Sequence, residues 1–128
     1  MKPETADYLA KAHQLLEQAE TIQRVGYADA AGRTAYLAGY HAAQAFLFER
    51  EDRVFKCHKG VHGEFARLVK GDPRFDGELR AFLGRTYNLK AIADYEAGPG
   101  SNVSSAQAAE AIAAAQRFVA AIGELMGA

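Results

Sequence analysis

Apolar side chains recur at helical spacing along most of this chain, and no segment shows the sustained alternation of a half-buried strand. This pattern predicts an all-α fold. In the second helical segment, from Asp29 to about Arg50, apolar residues lie on nearly all faces of the helix. This segment is therefore expected to be the central, most buried helix. Five helices are expected: from about Pro3 to about Gly26, from Asp29 as N-cap to about Arg50, through 61–69, through 79–93, and from a capping box at Ser104 and Gln107 almost to the C-terminus.

The chain has 128 residues, of which 49% are hydrophobic and 24% charged, so residues 1–128 are expected to form a single helical domain. Short connections favour an up-and-down bundle of four to five helices. The single cysteine excludes an internal disulfide framework and fits a reducing compartment. The sequence contains neither a membrane-spanning run nor a signal peptide, so we expect a cytoplasmic protein with no membrane partner.

Charge is unevenly distributed, although the formal net charge is only −1. Residues 33–93 carry 11 Lys and Arg against 7 Asp and Glu, which makes this middle section the basic side of the chain. Ordinary solvated helix faces explain such a run, and so does a surface that meets a polyanion. The candidate anion-binding patch consists of Arg50, Arg53, Lys56, His58 and Lys59, with Arg67 nearby in the sequence.

Polar side chains on the second predicted helix form a first candidate site. Arg33 and Tyr40 project within a narrow arc, and Tyr36 and His41 lie on its flanks. A guanidinium beside tyrosine rings can hold a phosphate or a base through charge and stacking. The alternative is a polar seam in which these side chains satisfy one another inside the bundle.

The stretch from Cys57 to His62 contains a second cluster. His58 and His62 are four residues apart, a spacing that places paired metal ligands on one helical face. The sequence offers no HExxH motif and no fourth ligand except the distant His41, so local hydrogen bonding at a helix start is the preferred interpretation. We predict no metal site and no cofactor.

The third cluster consists of Asn88, Lys90, Asp94 and Tyr95. Lys90 and Asp94 are spaced for an ion pair on a helix surface. Asp94 falls near a helix C-terminus, where the helix dipole disfavours a carboxylate. We therefore expect Lys90, Arg85 or an arginine from another helix or subunit to compensate it.

Taken in order, four passages resemble the HEPN domain family, named for higher eukaryotes and prokaryotes nucleotide-binding. Residues 31–43 resemble the family's R-x-Y-Y-A-x-F-H-A-A helix, and residues 58–62 resemble its H-K-G-V helix start. Residues 89–95 resemble the R-x-x-A-D-Y segment, with Lys90 near the usual arginine. Residues 104–119 resemble the closing helix, so the likeness covers nearly the whole chain.

The resemblance implies a four- to five-helix bundle that forms a homodimer. Many family members are ribonucleases of toxin–antitoxin or defence systems with an R-x(4–6)-H motif, and others act with minimal nucleotidyltransferases or bind nucleotide or RNA. No histidine follows Arg80 or Arg85 in this chain, and Asp94 stands where the nuclease motif has histidine. We therefore expect a non-catalytic module that works with a nucleotidyltransferase-like partner and binds nucleotide or RNA. The alternatives are a ribonuclease with an atypical active site and a purely structural interaction domain.

Overall fold

The computed structural model describes residues 1–95, 97–98 and 102–127, and this part of the chain is built from α-helices without strands. The helices are α1 (Pro3–Arg24), α2 (Ala28–Glu51), α3 (His58–Val69), α4 (Gly77–Tyr95) and α5 (Ser105–Leu125). The prediction of an all-α bundle is confirmed. The loop predicted at 98–102 falls partly on Pro99, Gly100 and Ser101, which lie outside the described residues.

The second helix is the centre of the bundle, as the apolar residues on nearly all of its faces predict. It packs against each of the other four helices, and six of its alanines and Leu47 are fully buried. Gly39 lies against the ring of Phe82 on α4, where a Cβ atom would overlap the ring. Phe82 in turn stacks on Phe118 of α5, with ring centroids 4.6 Å apart. Small residues on α2 thus allow α4 and α5 to approach closely.

The predicted role of Asp29 as the N-cap of α2 is wrong. Tyr27 occupies the N-cap position, and its side chain makes no capping hydrogen bond. The Asp29 carboxylate instead accepts a hydrogen bond of 2.6 Å from the backbone N–H of Val103, just before α5. The Asp29 carboxylate therefore forms a tertiary hydrogen bond instead of the capping bond that the local sequence predicts at the start of α2. The capping box of Ser104 and Gln107 at α5 is present as predicted.

The short helix α3 packs on the bundle through Phe65, and a cysteine caps its first turn. Phe65 lies edge-on to both Phe46 and Phe75, at centroid distances of 5.6 and 5.7 Å. Cys57 is its N-cap, because the Gly60 backbone N–H donates to Cys57 Sγ at 3.3 Å. This attachment leaves an open depression between the first half of α3 and α4. None of the described helices combines the length and the apolar character that crossing a bilayer requires.

Candidate functional site

A buried tyrosine on α2 joins the two histidines of α3. Tyr36 is fully buried, and its hydroxyl oxygen lies 2.6 Å from Nδ1 of His58 and 2.8 Å from Nε2 of His62. One turn of helix separates the two histidines, so a single hydroxyl on the facing helix reaches both rings. The spacing that resembles a metal-ligand pair thus serves a hydrogen-bonded triad.

Tyrosine rings surround this triad. Tyr40, one turn after Tyr36, lies 4.6 Å from the His58 ring. Tyr87 of α4 stands edge-on to Tyr36, His58 and His62 at centroid distances of 5.4, 5.4 and 5.5 Å. An open pocket of about 490 Å³ lies over the cluster; we call it the Tyr–His pocket, and its lining residues are His58, Lys59, His62, Gly63 and Tyr87.

Burial sets the protonation of this cluster. It lowers the pKa of both His58 and His62 below the ordinary value of 6.5, with the Lys90 charge as a further cause for His58 and the neighbouring His58 for His62. It also raises the pKa of Tyr36 far above its usual value. At neutral pH the site therefore holds two neutral imidazoles and a protonated phenol, which are hydrogen-bonding groups without formal charge.

An ion-pair group lies beside the pocket. Asp94 at the end of α4 accepts hydrogen bonds from Lys90 Nζ at 2.5 Å and from Arg33 Nε at 2.7 Å. These two bonds supply the compensation expected for a carboxylate at a helix C-terminus. The hydrogen bond from Lys90 is the largest cause that lowers the Asp94 pKa. The Lys90 side chain is only 9% exposed, and its ammonium lies 5.3 Å from the Tyr95 ring.

Two predicted site residues lie apart from this arrangement. The Nδ1–H of His41 donates to the Leu37 carbonyl at 2.9 Å, and the ring faces Tyr8 of α1 rather than α3. This hydrogen bond lies within α2, and His41 does not line the Tyr–His pocket. Asn88 is exposed on α4, and its side chain forms no hydrogen bond with another described residue.

Two arginines of the predicted anion patch are exposed and lie against aromatic rings. Arg50 and Arg53 lie over the rings of Phe46 and Phe55, at 4.7 and 4.5 Å from their centroids. Lys56 and Lys59 are exposed, and Lys59 joins His58 at the Tyr–His pocket.

Arg67 is engaged by carboxylates and does not extend this patch. Its guanidinium donates to Glu64 at 2.6 Å and to Glu51 at 3.3 Å. The hydrogen bond from Arg67 holds the pKa of Glu64 at about 2, so this pair remains ionised over the working pH range. A polyanion would have to compete with Glu64 for Arg67.

The site contains two residues that sequence reasoning does not assign to it. The sequence names His62 only as a member of a histidine pair with metal-ligand spacing, and it suggests no role for Tyr87. The His58–His62 spacing and the position of Tyr87 one turn before Lys90 are the signals that point to them. Among the described residues, no group of three or more His, Cys, Asp or Glu side chains is arranged to hold a metal ion.

Comparison with known proteins identifies the class to which this bundle belongs. The family model described as the HEPN domain matches residues 5–125, so the chain belongs to the HEPN domain family. It is also 29% identical over 96 residues to the protein named "Putative toxin MJ0142" from Methanocaldococcus jannaschii. That match covers 75% of this chain and 65% of the length of the relative.

Proposed function

We propose that this HEPN protein binds a nucleotide or a single-stranded RNA segment in the Tyr–His pocket and does not itself cleave it. The observation that supports this proposal is the composition of the pocket: two imidazoles and the Tyr87 ring line an opening of about 490 Å³ with Lys59 at its edge. Aromatic rings stack on bases, and a lysine at the rim attracts phosphate.

Binding is tested by calorimetric titration of the protein with adenosine 5′-monophosphate and with a short single-stranded RNA. Tyr87→Ala should weaken binding about tenfold, because a base stacked on an aromatic side chain contributes about 1–3 kcal/mol. The matched control is Tyr27→Ala, since Tyr27 is 68% exposed in the α1–α2 turn and does not line the pocket. Equal dissociation constants for the wild type and Tyr87→Ala would reject the site.

The basic residues beside α3 should add a salt-sensitive contribution to RNA binding. Reversing the charge of Arg53, Lys56 and Lys59 to glutamate should abolish measurable binding at moderate salt, because each cation that neutralises a phosphate raises both the affinity and its salt dependence. Lys70→Glu is a control at the far end of α3, about 16 Å along the helix axis from Lys59. Undiminished RNA affinity in the triple variant would show that these residues form only a solvated face.

A ribonuclease is the second candidate, favoured by the toxin name of the relative and by the two adjacent imidazoles. We nevertheless expect no cleavage by a site of the usual HEPN type. Asp94, at the position of the nuclease histidine, is ion-paired with two cations, and its lowered pKa keeps it ionised. RNA incubated with the purified protein should remain intact with and without EDTA. Cleavage lost in His58→Ala but retained in Asp94→Asn would establish the ribonuclease instead.

We also infer that the protein is a homodimer that works with a nucleotidyltransferase-like partner. Membership in the HEPN family supports this inference. So do exposed apolar side chains, among them Val25, Tyr27 and Tyr95, which second subunits commonly cover. Light scattering during gel filtration tests the dimer, and a mass near 14 kDa across a tenfold dilution series would reject it. Separate elution of co-expressed HEPN protein and nucleotidyltransferase would reject the partner.

A further inference from the structure

Tyr36 has one hydroxyl proton, yet its oxygen lies within hydrogen-bond distance of two imidazole nitrogens. The hydroxyl can donate to only one of these rings, so the other ring must donate its own N–H to the Tyr36 oxygen. Because both imidazoles are neutral at pH 7, each ring carries a single N–H. The position of the proton on one ring therefore fixes its position on the other.

Only two arrangements satisfy these bonds. When the Tyr36 hydroxyl donates to Nδ1 of His58, His58 carries its proton on Nε2, and His62 also carries its proton on Nε2 and donates it to Tyr36. When the hydroxyl donates to Nε2 of His62, both histidines carry the proton on Nδ1. In each arrangement the two remaining nitrogens, Nε2 of His58 and Nδ1 of His62, form one donor and one acceptor.

These remaining nitrogens are available to a ligand. Neither of them makes a hydrogen bond with the described residues, and neither is among the buried polar atoms left without a partner there. Their opposite ring nitrogens face the fully buried Tyr36, whereas both rings line the open pocket. The pocket thus presents a donor and an acceptor from two rings whose centroids lie 6.4 Å apart.

We propose that Tyr36 couples the tautomers of His58 and His62, so that the Tyr–His pocket always presents one hydrogen-bond donor and one acceptor and selects a nucleobase that carries both. Unmodified nucleobases carry both donors and acceptors. The inference rests on the proposed function, because it specifies which part of the bound nucleotide these rings contact. Since both protons can shift together, the pocket accepts the donor and the acceptor in either order.

The coupling itself is tested without a ligand and without a variant. Nitrogen chemical shifts of the imidazole rings at pH 7.5 distinguish the Nδ1–H from the Nε2–H tautomer. His58 and His62 should give the same tautomer, or the same average of the two. An Nδ1–H ring paired with an Nε2–H ring would overturn the coupling, whatever the pocket binds.

Selectivity is tested with three 5′-monophosphates that share ribose and phosphate. The base of adenosine carries an amino donor and ring acceptors, and the base of inosine carries an N–H donor and a carbonyl acceptor, so the two should bind within about twofold of each other. The 6-methoxypurine riboside presents two acceptors, and it should bind about tenfold more weakly, because one protein lone pair is left facing a ligand lone pair. In Tyr36→Phe the rings choose their tautomers independently, so this difference should shrink to about twofold or less.

The outcomes separate the two proposals. Equal binding of all three nucleotides to the wild type would overturn the selectivity while leaving nucleotide binding intact. Absence of binding by all three would reject both the proposed function and the selectivity. If Tyr36→Phe does not fold, the shift measurement and the three wild-type affinities decide the question.

Discussion

Removal of the Tyr36 hydroxyl is the change most directly tied to the structure. Tyr36→Phe deletes two hydrogen bonds, of 2.6 and 2.8 Å, and leaves the ring in its fully buried position. Each bond contributes about 1 kcal/mol net, so the free energy of unfolding should fall by about 2 kcal/mol. Leaving a buried polar group without a hydrogen-bond partner costs more than this, but that larger cost does not apply in full here. His58 and His62 are only partly buried, so water can reach their rings.

The measurement is urea denaturation followed by circular dichroism, with a thermal scan as a second readout. A loss of about 2 kcal/mol should lower Tm by roughly 6–10 °C in a domain of this size. Tyr87→Phe is the matched control: Tyr87 belongs to the same ring cluster, and its hydroxyl makes no hydrogen bond with another described residue. A Tyr36→Phe variant within about 0.5 kcal/mol of both the wild type and this control would refute the view that these bonds hold α3 in place.

Three further predictions concern stability. The pKa of both His58 and His62 is lowered on folding, so stability should be full above pH 6.5 and decline as pH falls through their folded-state pKa values, as Tm measured from pH 7.5 to 5 will show. Gly39→Ala should cost more than about 2 kcal/mol in urea denaturation, because its Cβ overlaps the Phe82 ring. Asp94→Asn should lower stability by about 1–2 kcal/mol in the same assay, since it leaves a largely buried ammonium without its carboxylate.

Matched variants distinguish these effects from general damage. The decline at acid pH should shrink in His62→Gln and persist in His13→Gln, because His13 is exposed on α1. Gly63→Ala adds a Cβ that meets no atom within 4 Å, so in this exposed helical position it should raise stability by about 0.5–1 kcal/mol. Lys11→Gln removes an exposed charge and should change stability by less than about 0.5 kcal/mol. Acid sensitivity unchanged by His62→Gln, or a tolerated Gly39→Ala, would contradict the corresponding argument.

Most of the fold can be predicted from the sequence because helical periodicity is a local signal. Apolar spacing predicts the helices, and the Ser104–Gln107 capping box marks the start of α5 correctly. Asp29 shows where local reasoning ends. Its carboxylate satisfies the Val103 backbone N–H from a segment 74 residues away, and no local pattern contains that contact.

The site could be predicted only in pieces. Arg33 and Tyr36 belong to one sequence cluster, His58 and His62 to a second, and Lys90 and Asp94 to a third. Helical spacing shows which members of each piece share a face, but it does not show which faces meet. The bundle brings α2, α3 and α4 together, so that Tyr36 bonds to the second cluster while Arg33 bonds to the third. The separation of the satisfied His41 from His58 likewise becomes visible only in the packed structure.

The charges at the edge of the site favour recognition of a base over simple attraction of an anion. Asp94 offsets one of the two charges of Arg33 and Lys90, and its effect on the His58 pKa opposes that of Lys90. The neighbouring imidazoles are neutral, so Lys59 is the cation that lines the pocket itself. A site built mainly to hold phosphate would gain from charged imidazoles, whereas burial here keeps them uncharged. Neutral rings in a fixed donor and acceptor relation contribute shape and hydrogen bonding, which are the interactions that distinguish one planar base from another.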